Sequence, residues 1–88
     1  MIKLSGTVKV REEPARSAVV ELCNSTGDIV DQVQVGDDGG YTYYLAPGSW
    51  MLRVWDAHGY RGRAELTLSD GETRVLDVDL EKPEVAEA

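Results

Sequence analysis

From Gly39 to Val54 the large apolar side chains recur at every second position, interrupted once by Pro47-Gly48. Tyr41, Tyr43 and Leu45 share one phase before the interruption; Trp50, Leu52 and Val54 share one phase after it. Successive side chains of an extended chain point to opposite sides, so this spacing describes two half-buried strands and does not suit a helix. Ala46-Pro47-Gly48-Ser49 has Pro at the second turn position and Gly at the third, the pattern of a type II turn. Such a turn splays its flanking strands, which favours a crossing between two sheets over a flat hairpin.

The same alternation runs through the rest of the chain. Ile2 to Val10 sets Ile2, Leu4, Val8 and Val10 against Lys3, Ser5, Thr7 and Lys9. Ser17 to Cys23 turns Val20 and Leu22 inward and leaves Val19, Glu21 and Cys23 on the outer phase. Ile29 to Val35 is irregular, because Asp31 shares the phase of Ile29, Val33 and Val35 while Val30 takes the other; a short or edge strand with a bulge or bend is expected. Ala64, Leu66 and Leu68, then Leu76, Val78 and Leu80, complete the inward set, and Gly-, Asp- and Asn-rich clusters separate the segments. Seven short strands at regular spacing predict an all-β sandwich. Trp50 is the largest residue of the expected core, so Trp50→Ala is expected among the worst single changes, at about 3–5 kcal/mol. One domain over residues 1–80 is expected, followed by a Pro- and Glu-containing tail, 81–88, that frays.

Charge narrows the partners. Nine Lys and Arg against 16 Asp and Glu give a net charge of −7, with no basic cluster to displace counterions from a nucleic acid or to hold an anionic membrane. No apolar stretch approaches the ~20 residues that span a bilayer. The single cysteine, Cys23, excludes an intramolecular disulfide, and Met1 to Gly6 alternates like a strand where a signal peptide would be apolar. A reducing, cytoplasmic setting is the expectation.

The ordered blocks resemble a known family. Glu12-Glu13-Pro14-Ala15-Arg16-Ser17-Ala18-Val19-Val20-Glu21-Leu22 is similar to the Gly-x-Pro-x-x-Gly-Ala-x-Val-x-Leu opening of carboxypeptidase regulatory-like domains. Asp38-Gly39-Gly40-Tyr41-Thr42-Tyr43, Pro47-Gly48-Ser49-Trp50-x-Leu52-x-Val54 and Gly59-Tyr60 resemble that family's later blocks. The resemblance spans about Leu4 to Leu80 and implies a seven-stranded, transthyretin-like Greek-key β-sandwich in which the second and fifth strands are neighbours. It departs at Glu12 and Ser17, where the pattern usually has glycine. Ala46-Pro47-Gly48-Ser49-Trp50-x-Leu52-Arg53 also resembles small actinobacterial proteins encoded near thiosulfate sulfurtransferases, a likeness that implies sulfur metabolism.

No catalytic constellation is legible. Tyr60-Arg61-Gly62 superficially resembles the Tyr-Arg-Gly-Ser ending of transthyretin-like hydroxyisourate hydrolases, but it is internal and followed by Arg63. That chemistry needs more than one imidazole, and His58, in a turn, is the only histidine. Asp28, Asp31, Asp37 and Asp38 lack the spacing of a calcium loop and read as turn-formers on an acidic surface. No Cys/His cluster suits zinc, and no glycine-rich loop leads into a helix to cradle phosphate. No metal, cofactor or enzymatic activity is expected.

The outward phase offers binding surfaces instead. Val19, Met51 and Trp55 fall on the solvent side if Val20, Leu22, Trp50, Leu52 and Val54 face the core, with Glu21 and Arg53 able to pair beside them. Trp and Met rimmed by charge resemble an interface centre, which points to a protein partner or a homo-oligomer through Val19, Met51, Arg53 and Trp55. The other reading folds Trp55 under the Asp56–Tyr60 loop as peripheral core. Two alternatives stand beside protein binding: a carbohydrate module stacking sugars on Tyr44, Trp55 and Tyr60, and a sulfur-metabolism accessory using the Cys23 thiol.

Overall fold

The alternating segments pair into two sheets in the computed structural model, which describes residues 1–82. Among the described residues nine strands form: β1 (Ile2–Val10), β2 (Glu13–Pro14), β3 (Val19–Cys23), β4 (Ile29–Gln34), β5 (Gly40–Leu45), β6 (Gly48–Trp55), β7 (Arg61–Leu68), β8 (Thr73–Val75) and β9 (Val78–Leu80). The first sheet is built on β1, with β5 and β2 antiparallel to it and β8 and β9 parallel to it; the second sheet has the order β4-β3-β6-β7. The chain changes sheet at the β2–β3, β4–β5, β5–β6 and β7–β8 connections. Ala46-Pro47 therefore carries the chain from one layer to the other, the crossing expected, but without the expected type II turn: Gly48 opens β6 at φ 140°.

Ile2, Leu4 and Val8 of β1, Val20 and Leu22 of β3, Tyr41, Tyr43 and Leu45 of β5, and Leu52 and Val54 of β6 close the core between the layers. Val78 and Leu80 of β9, with Leu68 of β7, complete it. The phase assigned to each of these strands holds. Trp50 also points inward but is only partly buried, and its indole N–H donates to the Ala46 carbonyl oxygen at 3.0 Å. It lies near the start of β6, at the rim of the sandwich, so it is not the centrepiece of the core. Ala64 and Leu66, expected inward, are likewise only partly buried, since β7 is an edge strand.

The expected seventh strand is split in two. Leu76 N–H donates to the Ser5 carbonyl at 2.8 Å, and the Asp77 carboxylate takes the Thr7 N–H at 2.9 Å where a backbone acceptor would stand. The chain can come this close because residue 6 is glycine; a Cβ there would lie 1.8 Å from the Leu76 carbonyl oxygen. Tyr41 Oη then donates to that same oxygen. In β4 the register shifts opposite Leu22 and Cys23, which is the irregularity expected of an edge strand, and Ile29 and Val30 are exposed there.

The charged connection after β1 is also more ordered than a loop. Arg11 and Glu12 adopt φ of 52° and 70°, turning the chain through a two-residue hairpin into β2. Glu12 is one of the two positions where the pattern it resembles usually carries glycine, and here a non-glycine residue holds the left-handed conformation. At the other end, Glu81 pairs with Arg61 through two backbone hydrogen bonds of 2.8 and 2.9 Å, so the expected fraying does not begin at Glu81. Residues 83–88 of that tail lie outside the described residues.

Candidate binding face

The outer surface of the second sheet is a ruled array. Pairing aligns Gln34, Val19, Trp55 and Arg61 in one row; Gln32, Glu21, Arg53 and Arg63 in the next; and Ile29, Cys23, Met51 and Glu65 in the third. All four residues singled out for protein contact, Val19, Met51, Arg53 and Trp55, fall on this face because β3 and β6 are neighbours. Val19, Met51 and Trp55 are partly buried, so Trp55 is neither fully projecting nor closed into the core. The Arg53–Glu21 pair forms, with Nη1 and Oε1 3.5 Å apart.

Two outer-phase residues are buried: Cys23, as is common for a structural cysteine, and Glu21, whose phase pointed to solvent. Cys23 has no exposed surface and Glu21 is 8% exposed. Both lie on β3, flanked by β4 and β6, so side chains from each flank cover them. Alternation along one strand assigns a face; it does not say whether neighbours roof that face over. The Cys23 S–H lies 3.8 Å from Glu21 Oε1 as a weak donor. A thiol without solvent contact is poorly placed to accept or pass on sulfur.

Arginine gathers at the β6–β7 side. Arg63 Nη2 donates to Glu65 Oε1 at 3.1 Å and to Met51 Sδ at 3.3 Å. Arg53, Trp55, Arg61 and Arg63 surround a groove of about 700 Å3 whose floor includes Gly62. Asp56 borders it too, but its Oδ1 is engaged by the backbone N–H groups of His58 and Tyr60 at 2.9 and 2.8 Å. These hydrogen bonds shape the turn that holds His58 exposed. The sequence reading missed Arg61 and Arg63 as members of the face, although both fall in the outward phase of β7.

The carbohydrate platform is not assembled on one surface. Tyr44 is 61% exposed on the outer side of the first sheet, opposite Lys3, while Trp55 is on the outer side of the second. Tyr60 packs against the core with the Arg11 guanidinium 5.9 Å from its ring centroid. The turn acids serve local geometry: Asp28 accepts from Thr26 Oγ1 at 3.1 Å and Asp38 from Gly40 N–H at 2.8 Å. Among the described residues no group of three or more metal-ligating side chains converges.

Comparison with solved structures shows the same sandwich in proteins of distant sequence. A DUF3823 family protein from Parabacteroides merdae superposes with a TM-score of 0.69 at 16% identity, over 91% of this chain and 45% of that one. GBS52, the minor pilin of Streptococcus agalactiae, gives 0.74 at 14% identity, over 98% and 46%. A second DUF3823 family protein, from Bacteroides ovatus, gives 0.68 at 20% identity, over 91% and 45%. The chain thus spans a little under half the length of these structures, and the likeness is one of fold. No curated protein matches the sequence. Residues 2–81 match the family described as protein of unknown function DUF1416, and the chain belongs to that family.

Proposed function

We propose that this domain is a non-enzymatic β-sandwich module that works by contact with another protein or with a second copy of itself, through the face bearing Val19, Met51, Arg53 and Trp55. The observation that carries this reading is the cross-strand alignment of Val19 with Trp55 and of Cys23 with Met51, flanking the Glu21–Arg53 ion pair. Aromatic and sulfur-bearing side chains framed by arginine are the composition that interface centres favour. The fold shared with a minor pilin domain is a scaffold on which sites are grafted, so the reading rests on the face itself. The lone, buried, free thiol of Cys23 suits a reducing compartment such as the cytoplasm.

Sedimentation velocity over a wide concentration range, wild type against Trp55→Ala, tests the reading together with affinity capture from the native host. Association or capture that Trp55→Ala weakens supports it. A monomer at every concentration that also captures nothing would count against it.

A further inference from the structure

We propose that the β6–β7 half of this face docks an extended acidic segment of a partner protein, one that carries carboxylates at alternate positions. The inference rests on the protein-contact reading and names the chemistry of the partner.

Arg53 stands directly opposite Arg63 across the two strands, and Arg61, paired with Trp55, lies one row further on. Like charges directly opposite one another oppose sheet formation. Three of the nine cations of a chain with 16 acidic residues are nevertheless concentrated around this one groove. Glu21 and Glu65 offset part of that cost through single contacts to Arg53 and Arg63, and an anionic ligand bridging the row would offset more.

The groups already present leave the guanidinium donors largely open. Glu21 sits 3.5 Å from one nitrogen of Arg53, and Glu65 and Met51 engage only Nη2 of Arg63. Arg61 makes no ion pair among the described residues. Asp56, the remaining acid at the groove, has its Oδ1 tied to its own turn and makes no ion pair with the three arginines. The planar donor fork of arginine matches a carboxylate in bidentate fashion, and Trp55 supplies an apolar wall beside it.

Spacing selects the form of the ligand. Arg61 and Arg63 are two residues apart on β7, which separates their side chains by about 6.6–6.8 Å. An extended peptide repeats its same-side carboxylates at that interval, so Glu at every second position sets one carboxylate by each row. The net charge of −7 repels a long polyanion, which favours a short acidic segment over a nucleic acid.

The test is an amide NMR titration of the isotopically labelled full chain with two peptides of equal composition. One alternates, Thr-Glu-Thr-Glu-Thr-Glu-Thr; the other blocks its charge, Thr-Thr-Thr-Thr-Glu-Glu-Glu. Shifts at residues 53–55 and 61–63 are expected, with the alternating peptide bound about fivefold more tightly and Arg61→Gln weakening it by about fivefold. Raising salt from about 0.02 M to about 0.3 M is expected to weaken binding further. Lys3→Gln, on the opposite sheet, serves as the matched charge-removal control and is expected to change nothing. No shift at millimolar peptide, equal response to both peptides, or indifference to Arg61→Gln would each overturn the proposal, as would a stronger response to a short oligonucleotide. Association or capture that depends on Trp55, with no peptide binding, would overturn the acidic partner while leaving the protein-contact face intact.

Discussion

The hydroxyl of Tyr43 crosses the sandwich and donates to the carbonyl oxygen of Val20 at 3.1 Å, tying β5 of one sheet to β3 of the other. Burial, with the charge of Asp31 adding to it, pushes the Tyr43 phenol up to about 12, and burial raises Tyr41 as well. Both phenols therefore hold their protons more tightly when folded than when unfolded. Above the ordinary value of 10.0 the unfolded state releases protons that the native state keeps, so stability falls as pH rises. We expect stability to be insensitive to these groups below about pH 9 and to drop towards pH 12, by up to about 2 kcal/mol from Tyr43 with Tyr41 adding to the loss. Urea melts across that range check it. Tyr43→Phe is expected to lower stability at neutral pH by about 1 kcal/mol and to flatten the alkaline loss.

Depth in the core separates two substitutions that periodicity alone ranks the other way. Leu52 is fully buried at the centre of β6, whereas Trp50 is partly buried at the rim. Leu52→Ala is expected to cost about 3 kcal/mol and Trp50→Ala about 2 kcal/mol. Denaturant melts of the two variants decide the order.

Gly6 is a steric requirement of the β1–β8–β9 junction. A methyl group there meets the Leu76 carbonyl and also comes within 3.0 Å of Tyr41 Oη. Gly6→Ala is expected to destabilise by about 3 kcal/mol, because backbone must move to admit it. A thermal melt within a degree or two of wild type would contradict this role.

Glu12 holds a left-handed conformation, φ 70°, that glycine adopts without strain. Glu12→Gly is expected to raise stability by about 0.5–1 kcal/mol, after the greater backbone entropy of glycine is set against the relief of strain. The hairpin remains, so the amide spectrum is expected to change only around residues 10–14.

These particulars show what an amino-acid string carries about this fold. Period-two alternation identified the inward face of β1, β5, β6 and β9 because their inward face is drier than their outer one; in β3 it also placed Val20 and Leu22 correctly, although Glu21 and Cys23 on its other face are buried too. It gave no depth along a strand, so Trp50 had the right side and the wrong place. It gave no account of what covers an outer face, so the burial of Glu21 was not legible, whereas that of Cys23 follows the general preference of cysteine for the interior. The break at Leu76–Asp77 was not legible either, since it depends on a side-chain acceptor and a glycine some 70 residues away. Tyr44 and Trp55 illustrate the limit for sites. Each is an outward aromatic on its own strand; the crossing expected at Ala46–Ser49 already separates β5 from β6, and it puts the two side chains on opposite sides of the molecule, a consequence that strand-by-strand phase does not reveal. Arg61 and Arg63 were overlooked for the related reason that their importance comes from pairing with β6, not from any local motif.

The outer surface of β3, β6 and β7 as the working face is most directly tested by amide chemical-shift mapping on raising the concentration or adding a captured partner. Perturbations centred on residues 19–23, 51–55 and 61–65 are predicted. Perturbations centred instead on Lys3, Thr42, Tyr44 and Val75, the outer side of the other sheet, would contradict the account.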